Sequence, residues 1–475
     1  MYYRLKEPYA FRGWKKLPYA ICAMAGPKLF ERPFFTHREL FLDMLYFNGQ
    51  EEVDPTTLSE DLQKVIQEFL ANNMLEISEE VMAPLQPWQR YHVYPARHLD
   101  AVHWSITGKC NFSCRHCLVS APEACHPQLP FEDCLKIMDQ IAQCGIHQVD
   151  ITGGEPLVRE DYEEFFKELS KRGIFIRTFF TNASLLDDAV LDALARHGHR
   201  PTFQLSFDGL GHHDWLRGVD GAEEQADGAF RLLQSRGIPC VAAMCIYKGN
   251  QDSLGATVEY LSSLGVQGLR VNAPQALGVW KEYAEEYALS QDEVWEVYRS
   301  YIPRYFAAGM PITLDLDGYF SCKKGETTYK VPYAHNLENR ENFERLYLCE
   351  SLRHVAHISA EGQLVPCMGF CGTALADRFP SLLEQPMGQL TLDSFYEQVA
   401  SARMGDLMAA DPECAQCPHL KACCGGCMVD GVTPTGEHAR RSMTTCYFHK
   451  HIGAAAVRSV ADAAIKTYCR MEETT

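Results

Sequence analysis

The chain reads as an α/β protein built on a parallel, partly open barrel of six β–α units, and two observations predict it. Between residues 100 and 310, short apolar runs alternate with segments of helical period. Each helical segment also closes on a glycine, at Gly145, Gly173, Gly198, Gly237 and Gly265, the residue that most readily takes a left-handed C-terminal cap. The runs predict strands at 102–106, 148–151, 175–179, 203–206, 240–246 and 269–271. Helices are predicted at 131–143, 161–171, 187–196, 223–235 and 253–263. In such a barrel the functional groups gather at the C-terminal ends of the strands.

Residues 1–95 precede the barrel as a separate module. Thr36 and Glu39 spell a capping box ahead of Leu40, Phe41, Met44 and Leu45, with Asn48-Gly49 ending that helix. Thr57 and Glu60 repeat the device, and Leu58, Leu62, Val65, Ile66, Phe69 and Leu70 then share one helical face. The aromatic-rich residues 2–30 carry short strands. The barrel is assigned to 98–310; after 310 the period breaks and cysteines return, so 311–475 is a third unit.

Composition narrows the partners. The net charge of −18 over 475 residues argues against a nucleic-acid backbone or an anionic membrane surface. No run approaches 18 apolar residues, so no membrane span is expected. Leu17 to Gly26 imitates a signal-peptide core, but sixteen residues rich in aromatics and including Glu7 precede it, and the exposed thiol clusters favour a reducing cytoplasm.

The chemistry is carried by Cys110, Cys114 and Cys117 in Thr-Gly-Lys-Cys-Asn-Phe-Ser-Cys-Arg-His-Cys. Three thiolates at C-x3-C-x2-C hold three irons of a [4Fe–4S] cube and leave the fourth open for chemistry. Zinc fits less well, because neither His103 nor His116 completes a zinc spacing. Gly153-Gly154-Glu155-Pro156 follows the second strand, Thr181-Asn182 the third and Ser206-Phe207-Asp208-Gly209 the fourth, with His213-Asp214 and Arg217-Gly218 beyond. Across these 110 or so residues the chain resembles the radical S-adenosylmethionine (radical SAM) enzymes. The resemblance implies S-adenosylmethionine on the open iron, reductive cleavage to a 5′-deoxyadenosyl radical, and hydrogen abstraction. It further implies that Gly153, Gly154, Glu155 and Pro156 receive the methionyl amine, that His116 seats adenine, and that Ser206 and Asn250 serve the carboxylate and ribose hydroxyls. The catalytic base is not assigned. Asp315 and Asp317 fall on one side of a strand and read as solvated carboxylates beside a glycine turn.

Farther on, Cys349-x12-Gly362-x4-Cys367 is followed by Cys414-x2-Cys417-x5-Cys423-x3-Cys427 and Cys446. This resembles the seven-cysteine SPASM extension of radical SAM enzymes; two zinc ribbons are the alternative. By resemblance, Cys414, Cys417, Cys423 and Cys446 ligate one auxiliary [4Fe–4S] cluster, and Cys349, Cys367 and Cys427 another, giving three clusters in all. Cys322 is favoured over Cys371 as the remaining ligand; with neither, that iron is open to a substrate thiolate. Cys22, Cys125, Cys134, Cys144, Cys240, Cys245, Cys424 and Cys469 read as small apolar residues.

The expected protein is therefore a cytoplasmic radical SAM–SPASM oxidoreductase that modifies a ribosomally made precursor peptide, installing a thioether or carbon–carbon cross-link or a related oxidation. Its N-terminal module resembles the winged-helix RiPP recognition element and would bind the leader; flavodoxin or ferredoxin would supply electrons. The alternatives are an anaerobic sulfatase maturase, which the long N-terminus and Met368 after Cys367 do not suit, and a non-catalytic iron–sulfur electron carrier.

Overall fold

The computed structural model describes residues 1–24, 31–118 and 127–472; the reading of Cys125 lies outside them. The N-terminal residues form β1 (Tyr2–Leu5), β2 (Tyr9–Trp14), β3 (Leu17–Ala23), β4 (Phe34–Phe35), α1 (Arg38–Met44), α2 (Glu60–Ala71), β5 (Leu75–Ser78) and β6 (His92–Tyr94). A four-stranded sheet in the order β4-β3-β2-β6 and a separate β1–β5 ribbon cover the two helices. Phe11, Ile21, Phe41, Met44, Ile66 and Phe69 close a hydrophobic cluster of their own. The run that imitates a signal peptide is strand β3.

Both predicted helix starts are displaced. The Thr36 amide is held to Tyr19 O at 3.1 Å, as a continuation of the β3–β4 ladder, so the cap passes to His37, whose ring accepts from Leu40 N. The Thr57 hydroxyl is engaged by Asp54 O at 2.9 Å in a 3₁₀ turn, and Ser59 caps α2 instead. This unit seats on the barrel through Trp14, whose indole N–H donates to Cys144 O at 2.9 Å, and through a Lys16–Glu397 ion pair.

Strands β7 (Ala101–Ser105), β8 (Gln148–Thr152), β9 (Phe175–Thr181), β10 (Thr202–Ser206), β11 (Cys240–Cys245) and β12 (Gly268–Asn272) pair in parallel, neighbour to neighbour. The crossovers hold α3 (Phe131–Gln143), α4 (Tyr162–Lys171), α5 (Asp188–Arg196), α6 (His213–Arg217), α7 (Ala222–Ser235) and α8 (Leu254–Ser263). Gly145, Gly173, Gly198, Gly237 and Gly265 all take positive φ at the helix ends, between 63° and 78°. This is the partial (β/α)₆ barrel that the alternation predicts.

The sheet continues beyond those six strands on both edges. The short α9 (Ala284–Tyr287) and long α10 (Gln291–Ala307) lead to a seventh parallel strand, β13 (Thr313–Leu316), which turns back into β14 (Phe320–Cys322) and β15 (Tyr329–Lys330). On the opposite edge β16 (Val355–Ile358) runs parallel to β7 and carries β17 (Leu364–Val365). The C-terminal region thus caps the barrel sheet at both ends, which sequence alternation could not show because β16 joins a strand some 250 positions earlier. Among the described residues no helix is long and apolar enough to cross a membrane.

Candidate functional site

The loop after β7 carries Cys110, Cys114 and Cys117, and it is zipped to the turn after β8. Gly154 N donates to Thr107 O and Glu155 N to Lys109 O, both at 2.9 Å. A side chain at Gly154 would place its Cβ 2.1 Å from Lys109 O, so only glycine lets the two loops close. Gly218 plays the same part on the other flank: with φ at 67°, its missing Cβ would lie 2.3 Å from Ser113 O.

Glu155 is fully buried beneath this junction. Its carboxylate accepts from Leu157 N at 3.1 Å, the Thr181 hydroxyl at 2.9 Å and Asn182 N at 2.7 Å. Burial pushes its pKa up to about 7 against those three donors. Glu155 therefore fastens the Gly-Gly turn to the end of β9, where the sequence reading had it facing a ligand amine. Pro156 opens the following 3₁₀ turn. From β9, Asn182 reaches back to Asn111 at 2.9 Å and stands 4.0 Å from the Cys110 sulfur, while Phe112 N donates to that sulfur at 3.4 Å.

Beyond β10 a charged knot closes the other side of the loop. Asp208 receives Arg217 Nε at 2.7 Å and Cys245 N at 2.8 Å, and lies 3.1 Å from the His213 ring. Against the cost of burial, Arg217 and His213 hold the Asp208 carboxyl far below its usual range. Arg217 also stands 4.0 Å from the Cys114 sulfur. His116 packs into this knot; burial lowers its pKa to about 4, so its ring is neutral, and its Nδ1 has no hydrogen-bond partner among the described residues. Ser206 ends β10 half-buried. Asn250 does not face the site as expected: it is fully buried, with its amide donating to Asp208 O and Cys245 O and accepting from Tyr247 N, each at 2.8 Å. Those bonds make Asn250 the clamp between β10 and β11.

The donor geometry bears on what the cysteines fit. Among the described residues, the one trio of His, Cys or carboxylate ligand atoms lying within 4.8 Å of one another is His116, Asp208 and Cys245, already tied up by Arg217. Among the described residues no three cysteine sulfurs approach that closely, whereas one tetrahedral zinc at about 2.3 Å from each sulfur would draw them to roughly 3.8 Å. The wider spacing, the unpartnered His116 nitrogen and the glycine-closed loop fit a cluster with a bound cofactor better than a single metal ion.

The C-terminal cysteines fall into two groups. Cys367 lies within electrostatic reach of Cys349 and Cys427; Cys414 and Cys423 lie within reach of Cys446, and Cys423 also of Cys417. Cys322, expected as the remaining ligand, stands apart from both groups. It occupies β14 opposite Leu314, buried in the core, with its thiol directed at Glu326 O at 3.1 Å. Strand alternation turns it into the sheet core and away from the array. Cys371 also stands apart. It lines a cavity of about 230 Å³ between the ends of β7 and β8 and the β16–β17 hairpin, with Gly153, Gly154, His357 and Glu361. Asp317, expected in solvent, is half-buried at the end of β13, and burial pushes its pKa up to about 6.

Residues 104–261 match the family described as the radical SAM superfamily. Over that stretch the chain is similar to the superfamily's members. It is 29% identical to PqqA peptide cyclase of Granulibacter bethesdensis over 36% of this chain and 46% of that protein. It is 26% identical to the sporulation killing factor maturation protein SkfB of Bacillus subtilis, over 36% and 42%. The chain thus spans less than half the length of these two relatives. It is 24% identical to mycofactocin maturase MftC of Mycolicibacterium smegmatis over 73% of this chain and 83% of that one. Among solved structures, Streptococcus suis SuiB bound to S-adenosylmethionine superimposes with a TM-score of 0.60 at 16% identity, covering 93% of this chain and 99% of SuiB. At that identity the likeness concerns the fold, and it extends through the N-terminal module.

Proposed function

We propose that this radical SAM enzyme modifies a ribosomally made precursor peptide. The observation that carries the reading is the N-terminal unit with its own core, set before a barrel whose cysteine loop is closed by Gly154 and Gly218. SuiB, whose fold covers the same span, also has a structure bound to its precursor peptide SuiA, and three relatives are named as a peptide cyclase and maturation proteins. A leader would dock on the N-terminal unit and present the reacting segment at the C-terminal ends of the barrel strands.

In this reading Cys110, Cys114 and Cys117 hold a [4Fe–4S] cluster. When bound there, the cluster and S-adenosylmethionine supply the electron and the hydrogen-abstracting radical. The chain supplies position. Gly153 and Gly154 let the backbone come close, Glu155 pins the turn from below, and the Asp208–Arg217 knot sets a positive charge beside Cys114 that favours its thiolate. The neutral His116 ring offers a flat face toward adenine. Cys349, Cys367 and Cys427 would hold a second cluster, to which neither Cys322 nor Cys371 is close among the described residues. Cys414, Cys417, Cys423 and Cys446 hold a third, and a flavodoxin or ferredoxin delivers electrons.

The test is anaerobic reconstitution followed by reduction with S-adenosylmethionine. 5′-Deoxyadenosine is expected, and co-expression with a short open reading frame, where one lies beside the gene, should shift that peptide's mass. A wild-type protein that binds iron yet releases no 5′-deoxyadenosine defeats the reading, and an unmodified peptide defeats the peptide half of it.

A further inference from the structure

We propose that the cavity between the ends of β7 and β8 and the β16–β17 hairpin is a specificity pocket that takes one basic side chain, lysine or arginine, of the substrate peptide. The proposal rests on the radical SAM reading above and deepens it. At about 230 Å³ the cavity is smaller than sites that enclose a whole small molecule, roughly 300–1,000 Å³, and suits a single side chain. One wall is Ser105 with the Gly153-Gly154 turn of the barrel, and the other brings His357, Glu361 and Asp377 from the C-terminal region. A side chain anchored there would hold the peptide beside the strand ends where barrel chemistry collects.

His357 marks the cavity as a binding site. It stands on β16 opposite His103, and strand alternation turns it to the same face of the sheet as Ser105. The Ser105 hydroxyl lies 3.2 Å from its Nε2. The side chain is 1% exposed, yet its Nδ1 has no hydrogen-bond partner among the described residues. Buried polar atoms are paired in the great majority of cases, so one left open in a side chain that lines a cavity marks the place of a ligand atom. Burial keeps the imidazole neutral, and with Nε2–H donated to Ser105 Oγ, Nδ1 becomes the acceptor that a cationic N–H requires.

The charge of the lining names the ligand. Among the described residues the acidic groups on the cavity wall are Glu361 and Asp377, and no lysine or arginine lines it. The backbone that carries the two carboxylates is cross-braced. In the β16–β17 turn the Ser359 hydroxyl accepts from Glu361 N at 3.3 Å and from Gln363 N at 3.1 Å. The Gln363 amide then donates to Ala376 O and Phe379 O, each at 3.2 Å, which ties the turn bearing Asp377 to the same hairpin. Ala360, Val365, Cys371 and Ala376 add apolar lining between the polar groups. An aliphatic stem that ends in a cation matches this wall: the stem covers the apolar residues and the charge meets the carboxylates. A carboxylate or phosphate ligand would instead meet two charges of its own sign.

The test is isothermal titration of the reconstituted enzyme, with and without S-adenosylmethionine. The probes are N-acetyl-lysine methylamide, N-acetyl-arginine methylamide and the uncharged N-acetyl-norleucine methylamide. At least one cationic probe should bind about tenfold more tightly than norleucine, and the tighter of the two names the residue the pocket takes. Glu361→Gln and His357→Gln, compared with wild type at equal iron content, should each remove most of that preference. Equal binding of the three probes, no binding of any, or a preference that survives both variants overturns the proposal. Displacement of the cationic probe by S-adenosylmethionine overturns it too, because the ammonium received would then be the methionyl amine. A cationic preference in an enzyme that releases no 5′-deoxyadenosine would defeat the radical SAM reading and leave the pocket standing.

Discussion

Gly154 and Glu155 show how narrowly the loop junction is built. Because the Cβ of Gly154→Ala would meet a backbone oxygen at 2.1 Å, the two loops must separate. The expected cost is about 1–3 kcal/mol of stability, with 5′-deoxyadenosine formation down at least tenfold and iron content lowered in parallel. Glu155 predicts a pH effect. Its folded pKa of about 7 lies above the value of an unfolded glutamate, so its contribution to stability is full at low pH and is lost as pH rises through 7. Urea unfolding of the apo chain should find up to about 3 kcal/mol less stability at pH 8.5 than at pH 5 from this group. Glu155→Gln should flatten that slope while lowering the stability overall, since its amide faces donors. A slope equal to that of wild type would show that the carboxyl titrates normally.

Among the elements, β2 and β14 carry the sharpest expectations. Trp14 ends β2 almost wholly buried, bonded to Cys144 O and edge-on to the His98 ring. Trp14→Ala should cost about 3–5 kcal/mol where the N-terminal strands meet the barrel. Limited proteolysis should then release the N-terminal unit while the barrel's iron content is kept; equal protease resistance would show that the seat lies elsewhere. On β14, Cys322→Ser should leave iron content unchanged, because its sulfur is directed at carbonyls of the loop that follows, Glu326 O among them; a loss of about four irons would return it to a cluster. The register of β14 was not legible locally. The spacing of Cys322 before Cys349 is that of a ligand, and only pairing with β13 shows which way the side chain turns.

Over the whole molecule, the cysteine groups predict an iron count. Reconstituted wild type should carry about twelve irons, falling to about eight in Cys110→Ala/Cys114→Ala/Cys117→Ala. Zinc in the C-terminal array, or no loss in the variant, would defeat the corresponding part of the reading. The sequence by itself determined the six-unit barrel, because apolar period and glycine caps are local, and the resemblance to radical SAM enzymes over 104–261, because the cysteine spacing and Gly-Gly-Glu-Pro turn are contiguous. It placed five barrel helices to within a residue or so at each end. The tertiary structure alone decided what depends on distant pairing. Examples are the β7–β16 edge, the separation of Cys322 and Cys371 from the array, and the enclosure of Asn250 and Glu155. The half-burial of Asp317 belongs with them. Burial is set by which elements pack over a residue, and a carboxylate beside a glycine turn has the same sequence in solvent as in a chamber.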